Sequence, residues 1–265
     1  MIRRTFIKYL CSVIVFFSFG LCYDPINLFA QNKKPCKKIL HISNLLKNKK
    51  PLIWLFTGDS ITQGAKHTNG MRSFPQIFEE RIRWELCRSY DTIINTAISG
   101  NTTEDIIKDF EIRIAKYKPD VVFLMIATND AASIRKISIE QFKSNLNLLV
   151  NLIQSIGSTL ILMTPTPIIL ERSTERRNIK QYVEKIREVA LSKNIILIDN
   201  WNIWNNELRI KFGDTFYDKL LSDSLHPNGY GHKEIAIAIF KELAVFDEKA
   251  FTCTNQFSHT NTSKK

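Results

Sequence analysis

The sequence predicts one α/β domain in which a five-stranded parallel sheet carries helices on both faces. Two patterns lead to this. Five short, nearly continuous apolar runs recur along the chain, as strands buried on both faces require. Between them lie stretches with apolar residues at three- and four-residue steps, as helices packed on a sheet require. Such alternation builds βαβ units, whose crossovers make the strands parallel. A third observation says where function belongs. Short polar blocks stand directly after the apolar runs, at the carboxyl edge where open parallel sheets place their ligands.

Taken in order, the first run is 52–56 (LIWLF). A helix pattern covers 75–89, with Pro75 in its first turn and Phe78, Ile82 and Leu86 on one face. Residues 92–95 (TIIN) form the second run. Thr102 or Thr103 then caps a helix with Ile106, Phe110, Ile114 and Tyr117 aligned. The third run is 120–126 (DVVFLMI), followed by a helix marked by Phe142, Leu146, Leu149, Ile153 and Ile156 and ended by Gly157. The fourth run is 159–163 (TLILM). Ile179, Tyr182, Ile186 and Val189 mark the next helix, and 195–198 (IILI) is the fifth run. A final helix spans 228–244. No repeat or internal linker interrupts the series, so 51–245 reads as one domain.

Composition agrees. Of 265 residues, 44% are hydrophobic and 24% charged, ordinary globular fractions that exclude collagen, long coiled coil and wholesale disorder. The termini differ from the body. Arg3, Arg4 and Lys8 precede an uncharged apolar run at 9–23, too short to span a bilayer but of signal-peptide form. Residues 1–30 are therefore expected to be a signal peptide cleaved before Gln31. A lipoprotein anchored through Cys22 and an uncleaved anchor are the alternatives, and each implies export. Residues 31–50 read as a basic linker and 246–265 as a polar tail, loose from residue 251. The net charge of +11 is mostly terminal: seven lysines and no acid fall in 31–50, and residues 51–265 carry only +2. Charge thus suggests at most an association with the cell envelope, and no nucleic-acid motif accompanies it. Cys87 is expected in the core, and Cys36 and Cys253 could pair in an oxidising compartment. No Cys or His spacing suggests a metal, and no organic cofactor is expected.

The blocks after the runs hold the parts that acyl transfer needs. Thr57-Gly58-Asp59-Ser60 follows the first, Ser99-Gly100-Asn101 the second, Ala127-Thr128-Asn129-Asp130 the third, and Asp223-Ser224-Leu225-His226-Pro227 an insertion after the fifth. Ser60 is the candidate nucleophile and needs an adjacent base. His226 is the candidate base. Asp223, three residues earlier, can reach the far nitrogen of its ring. The Ser60 and Gly100 N–H groups and the Asn129 amide are candidate donors for a developing oxyanion. Asp59 and Asp130 read as loop braces, His67 as an exposed loop residue and His232 as structural. The aromatics of 200–222 read as core, and Arg172, Arg176 and Arg177 as a solvated face. The G-x-S-x-G elbow of α/β-hydrolases is absent.

Gly58-Asp59-Ser60, Gly100, Asn129 and Asp223/His226, in this order, resemble the four blocks of the SGNH hydrolases, the GDSL esterase/lipase family. The resemblance spans roughly 50–245. It implies a flavodoxin-like three-layer sandwich with strand order 2-1-3-4-5. It also implies Ser60 as nucleophile, His226 as base, Asp223 as its orienter, and Ser60, Gly100 and Asn129 as the oxyanion hole. One residue departs: Ala127 stands where the third block usually has glycine. At φ > 0 an alanine strains that loop, and at negative φ the change is mild. The expected activity is an exported serine esterase releasing a small acyl group, acetyl foremost, from a carbohydrate. A lipase, phospholipase or thioesterase is the alternative within the fold, and a non-catalytic binding module the alternative outside catalysis.

Overall fold

The apolar runs form five strands: β1 (Ile53–Gly58), β2 (Thr92–Asn95), β3 (Val121–Met125), β4 (Thr159–Met163) and β5 (Ile196–Ile198). They lie side by side in the order β2-β1-β3-β4-β5, every pairing parallel. The computed structural model describes residues 42, 44–64 and 66–254. Phe56 stands level with Asn95 on one side and Phe123 on the other, so the polar blocks emerge along one edge.

Strand pleating sends alternate side chains to opposite faces and builds two cores of different character. On one face, Trp54, Phe56 and Phe123 meet Phe74 and Phe78 of helix α1 (Phe74–Glu80) and Phe240 of the last helix. The Phe56 and Phe123 rings are stacked with centroids 4.4 Å apart. The other face is mostly aliphatic: Leu55, Val122, Leu124, Leu160 and Leu162 lie under three further helices. These are α2 (Thr103–Lys108), α3 (Ile139–Ser155) and α4 (Ile179–Ser192). Helix α5 (Gly229–Glu242) closes the aromatic side beside α1.

Several helices differ from the periodic expectation. The one predicted over 75–89 is α-helical only to Glu80 and then widens into a π-turn, Arg81–Glu85. It ends at Cys87, which has φ 55° and is exposed rather than in the core. A left-handed residue past a helix end leaves the 3.6-residue period, so the packed face does not continue to it. The stretch after Thr102 begins with a capping box between Thr102 and Asp105, then breaks at Asp109. Arg113 pins the second half by donating to the Thr96 carbonyl at 3.0 Å.

The expected linker and tail are also partly built into the body. Ile42 is fully buried in the aromatic core, with Leu45 and Leu46 against it. The Arg88 guanidinium donates to the carbonyls of Leu46, Asn48 and Lys50 and pairs with Asp91. At the other end, the stretch expected to be loose from residue 251 is ordered as far as residue 254. Thr252 and Cys253 are buried, and Thr252 donates its N–H and hydroxyl to Glu85. Burial works against ionisation of Glu85, but donation by Thr252 and Arg81 holds its carboxyl below the ordinary range. Single apolar residues within basic or polar stretches thus find the core, which composition averages hide. The signal-peptide segment 1–30, the lipidation candidate Cys22, the linker start through residue 41, Cys36 and the tail 255–265 lie outside the described residues. Cys253 carries a free thiol. Among the described residues no helix is long and apolar enough to cross a membrane.

Candidate active site

The first block turns sharply because Gly58 permits it. Its φ is 149°, and a Cβ there would come within 2.1 Å of the Met125 carbonyl oxygen. β1 therefore passes close to the end of β3 before the chain turns. Asp59 caps the short helical turn Ser60–Gln63 by accepting from the Ile61 N–H at 3.0 Å. That cap sets Ser60 at the first helical position, half-buried at the sheet edge.

The last block reaches the same edge from the far side of the chain. Leu221 bridges Pro227 in antiparallel fashion, and the Ser222 N–H donates to the His226 carbonyl at 2.9 Å. This closes a tight turn that carries Asp223 and His226. Asp223 Oδ1 accepts from the Leu225 and His226 N–H groups, each at 2.7 Å. Its Oδ2 lies 2.8 Å from His226 Nδ1, and His226 Nε2 lies 2.9 Å from Ser60 Oγ. Serine, imidazole and carboxylate thus form one continuous hydrogen-bonded chain across 166 residues of sequence. Partial burial opposes ionisation of Asp223, but the hydrogen bonds from Leu225 and His226 hold its carboxyl below the ordinary range.

The two middle blocks flank this chain. Gly100 has φ 85°, and its carbonyl accepts from Arg135 at 3.0 Å. The Asn129 amide donates to the Asn101 carbonyl at 3.0 Å, tying the third block to the second. Its amide nitrogen carries a second N–H. Gln63 accepts from the Ser99 N–H at 2.9 Å, tying the second block to the first. Ala127 resolves the question left by its sequence: it is fully buried with φ 128°. An alanine therefore occupies backbone space that favours glycine, a strain of about 1–3 kcal/mol.

Beneath lies a floor of buried titratable groups. Asp130 accepts from the Thr103 N–H at 2.9 Å and hydroxyl at 2.6 Å, holding the start of α2. Burial pushes its carboxyl up to about 6, against the Thr103 bonds. For Asp59, burial outweighs the Ile61 bond and, with the Asp130 charge, pushes the carboxyl up to about 7. His232 on α5 is buried and accepts from the Phe74 N–H at 3.2 Å through Nδ1. Burial pushes it down to about 3, and His226 and His67 act in the same direction. These three fill the bracing and structural roles expected of them.

The arrangement can activate a hydroxyl: an imidazole accepts its proton while the carboxylate holds the ring's tautomer. The match to known proteins spans the stretch that carries these residues. Residues 56–234 match the model of the GDSL-like lipase/acylhydrolase family. The chain belongs to this family. It carries an SGNH-type ester-hydrolase domain with that family's parallel sheet. An acetylxylan esterase of Geobacillus stearothermophilus is 28% identical over 207 residues, covering 71% of this chain and 92% of that one. An uncharacterized protein of Mycoplasma pneumoniae is 30% identical over 189 residues, 68% of this chain, which spans only 21% of that protein's length. An uncharacterized lipoprotein of Bacillus subtilis is 29% identical over 168 residues, 54% of this chain and 68% of that one. Among solved structures, the acetylxylan esterase Axe2 of G. stearothermophilus shares the fold with a TM-score of 0.62. Its identity is 24%, over 74% of this chain and 95% of that one. An α/β hydrolase from the metagenome of Lake Arreo has a TM-score of 0.64 at 22% identity, over 75% and 99%.

For this family member, four contacts were invisible in the sequence. His67 is not a free loop residue. Its ring stacks on His226 with centroids 3.6 Å apart and planes 3° apart, and its Nδ1 lies 3.3 Å from Asp223 Oδ2. Arg176 does not join a solvated face, since its largely buried side chain donates to the Thr128 carbonyl at 2.9 Å. Arg172 and Arg177 are exposed as expected. Gln63 and Arg135 each tie one block to another element. No spacing rule brings these residues together, because the contacts exist only once the strand ends align. The aromatics of 200–222 divide: Trp204 and Phe216 are core, and Trp201, Phe212 and Tyr217 pack against it partly buried.

Proposed function

We propose that this protein is an exported serine esterase that removes small acyl groups, acetyl foremost, from a carbohydrate. One observation carries the reading: the Ser60–His226–Asp223 hydrogen-bonded chain, with contacts of 2.9 and 2.8 Å, at the carboxyl edge of the sheet. His226 Nε2 takes the Ser60 proton as Oγ attacks the ester carbonyl. Asp223 keeps the Nδ1–H tautomer and stabilises the imidazolium that forms. The Ser60 and Gly100 N–H groups and the Asn129 amide receive the oxyanion. The imidazolium returns its proton to the leaving sugar alkoxide, which departs as an alcohol. Water, deprotonated by His226, then cleaves the acyl-enzyme to free acid and regenerates Ser60.

Two findings support the carbohydrate and export parts. A relative aligned over nearly its whole length is an acetylxylan esterase. The basic, then apolar, start of the chain has the form of a signal peptide, and a relative is a lipoprotein. The test is acetate release from acetylated xylan, pectin and cell-wall glycans, with p-nitrophenyl acetate, butyrate and octanoate alongside. Wild type should turn over the acetates and Ser60→Ala should not. Preference for octanoate would favour the lipase reading, and the absence of any Ser60-dependent turnover would favour a binding module. A mature N-terminus at Gln31, read by terminal sequencing, is expected for the cleaved signal.

A further inference from the structure

His67 belongs to no block of the family pattern, yet it touches both partners in the relay. Its ring covers one face of His226 at 3.6 Å, nearly parallel, and its Nδ1 approaches the same Asp223 oxygen that His226 Nδ1 bonds. His67, Asp223 and His226 therefore form a compact group of metal-ligating types. Their geometry argues against an ion. An imidazole lone pair lies in its ring plane, and two parallel rings cannot aim theirs at one point between them. The arrangement suits a different task. A face-to-face ring restricts rotation of His226 and keeps water from one side of its bond to Asp223.

We propose that His67 is a positioning residue that holds the His226 ring in register between Asp223 and Ser60. This rests on the esterase reading above for its consequence, though not for its geometry. His67 touches His226 and Asp223; the charge of Lys66 also acts on it, and it acts in turn on the buried His232. Burial and the adjacent His226 lower the proton affinity of His67, against the pull of Asp223. A neutral ring packs against the imidazolium that forms in the reaction, whereas a protonated one would oppose it.

The test separates packing from mere structure. His67→Ala should lower kcat roughly 10- to 100-fold, the scale of a misplaced catalytic group, with KM little changed and thermal stability nearly intact. His67→Phe, which keeps a flat ring, should restore most of the rate, and His67→Gln should not. A second readout needs no turnover. In the Ser60→Ala background, the low-field proton resonance of the His226–Asp223 hydrogen bond should be sharp when His67 is kept. It should stay sharp on adding His67→Phe and broaden by exchange on adding His67→Ala. An unchanged resonance and wild-type kcat in His67→Ala would overturn the proposal. If no ester is hydrolysed at all, the resonance still reports on His67 while the esterase reading fails.

Discussion

The rim and the floor of the site are built on opposite principles. At the rim, Ser60 and His226 are half-buried, Asp223 is exposed, and short hydrogen bonds join them. On the floor, Asp59, Asp130 and His232 are nearly inaccessible, and burial has moved their proton affinities toward the neutral forms. On the proposed reading, the difference separates reacting groups from shaping groups. A residue that must exchange protons with substrate needs solvent or a partner at hand. A residue that must fix a loop is most useful where water cannot compete for its hydrogen bonds. Rim substitutions should therefore cost rate, and floor substitutions should cost stability.

The largest effect expected is at the rim. Ser60→Ala should reduce ester hydrolysis by at least about a thousandfold while the melting temperature stays close to that of wild type. Concurrent unfolding would break the rim–floor distinction. Next is Asp223→Asn, which preserves shape but disturbs the tautomer of His226. A fall in kcat of roughly 10²- to 10⁴-fold is expected, again with little change in stability.

Floor changes follow. Asp59→Ala removes the cap of the Ser60 turn and should cost about 1 kcal/mol in urea unfolding. The pH dependence of stability gives a sharper test. The folded chain keeps a proton on Asp59 up to about pH 7, whereas the unfolded chain releases it near 3.8. Its contribution is therefore full below the lower value and lost as pH rises through the higher one. His232 has the opposite sign. The unfolded chain gains its proton near 6.5 and the folded chain only near 3, so stability is lost as pH falls between them. Urea midpoints measured across the pH range from about 3 to about 7 should lose the first slope in Asp59→Asn and the second in His232→Gln.

The smallest effect concerns Ala127. Relief of its φ of 128° should make Ala127→Gly more stable by about 1 kcal/mol, the strain removed less the added freedom of glycine in the unfolded chain. Any rise in kcat would show that the strain also reaches Asn129.

Much of this protein was legible without coordinates. Strand runs such as LIWLF could be read because they are too short for a buried helix and are bounded by turn residues such as Pro51 and Gly58. The polar blocks could be read because the carboxyl edge of a parallel sheet gathers whatever follows each strand. Two things followed poorly from local pattern. Helix ends at Cys87 and Asp109 depend on which carbonyls distant side chains capture. The packing of Ile42 and of Thr252 depends on a core formed by residues far away in sequence.

By itself, then, the amino-acid sequence determined the five strands and the order of the polar blocks after them, which rest on periodicity and short-range spacing, and it singled out Ser60, Asp223, His226, Gly100 and Asn129 as candidates. Only the tertiary structure decided that Ala127 sits at positive φ, that Arg176 braces the third block and that His67 lies flat on His226. Those are questions of distance and angle between segments, and no local pattern carries that information until the hydrophobic faces have closed and set the strand ends side by side.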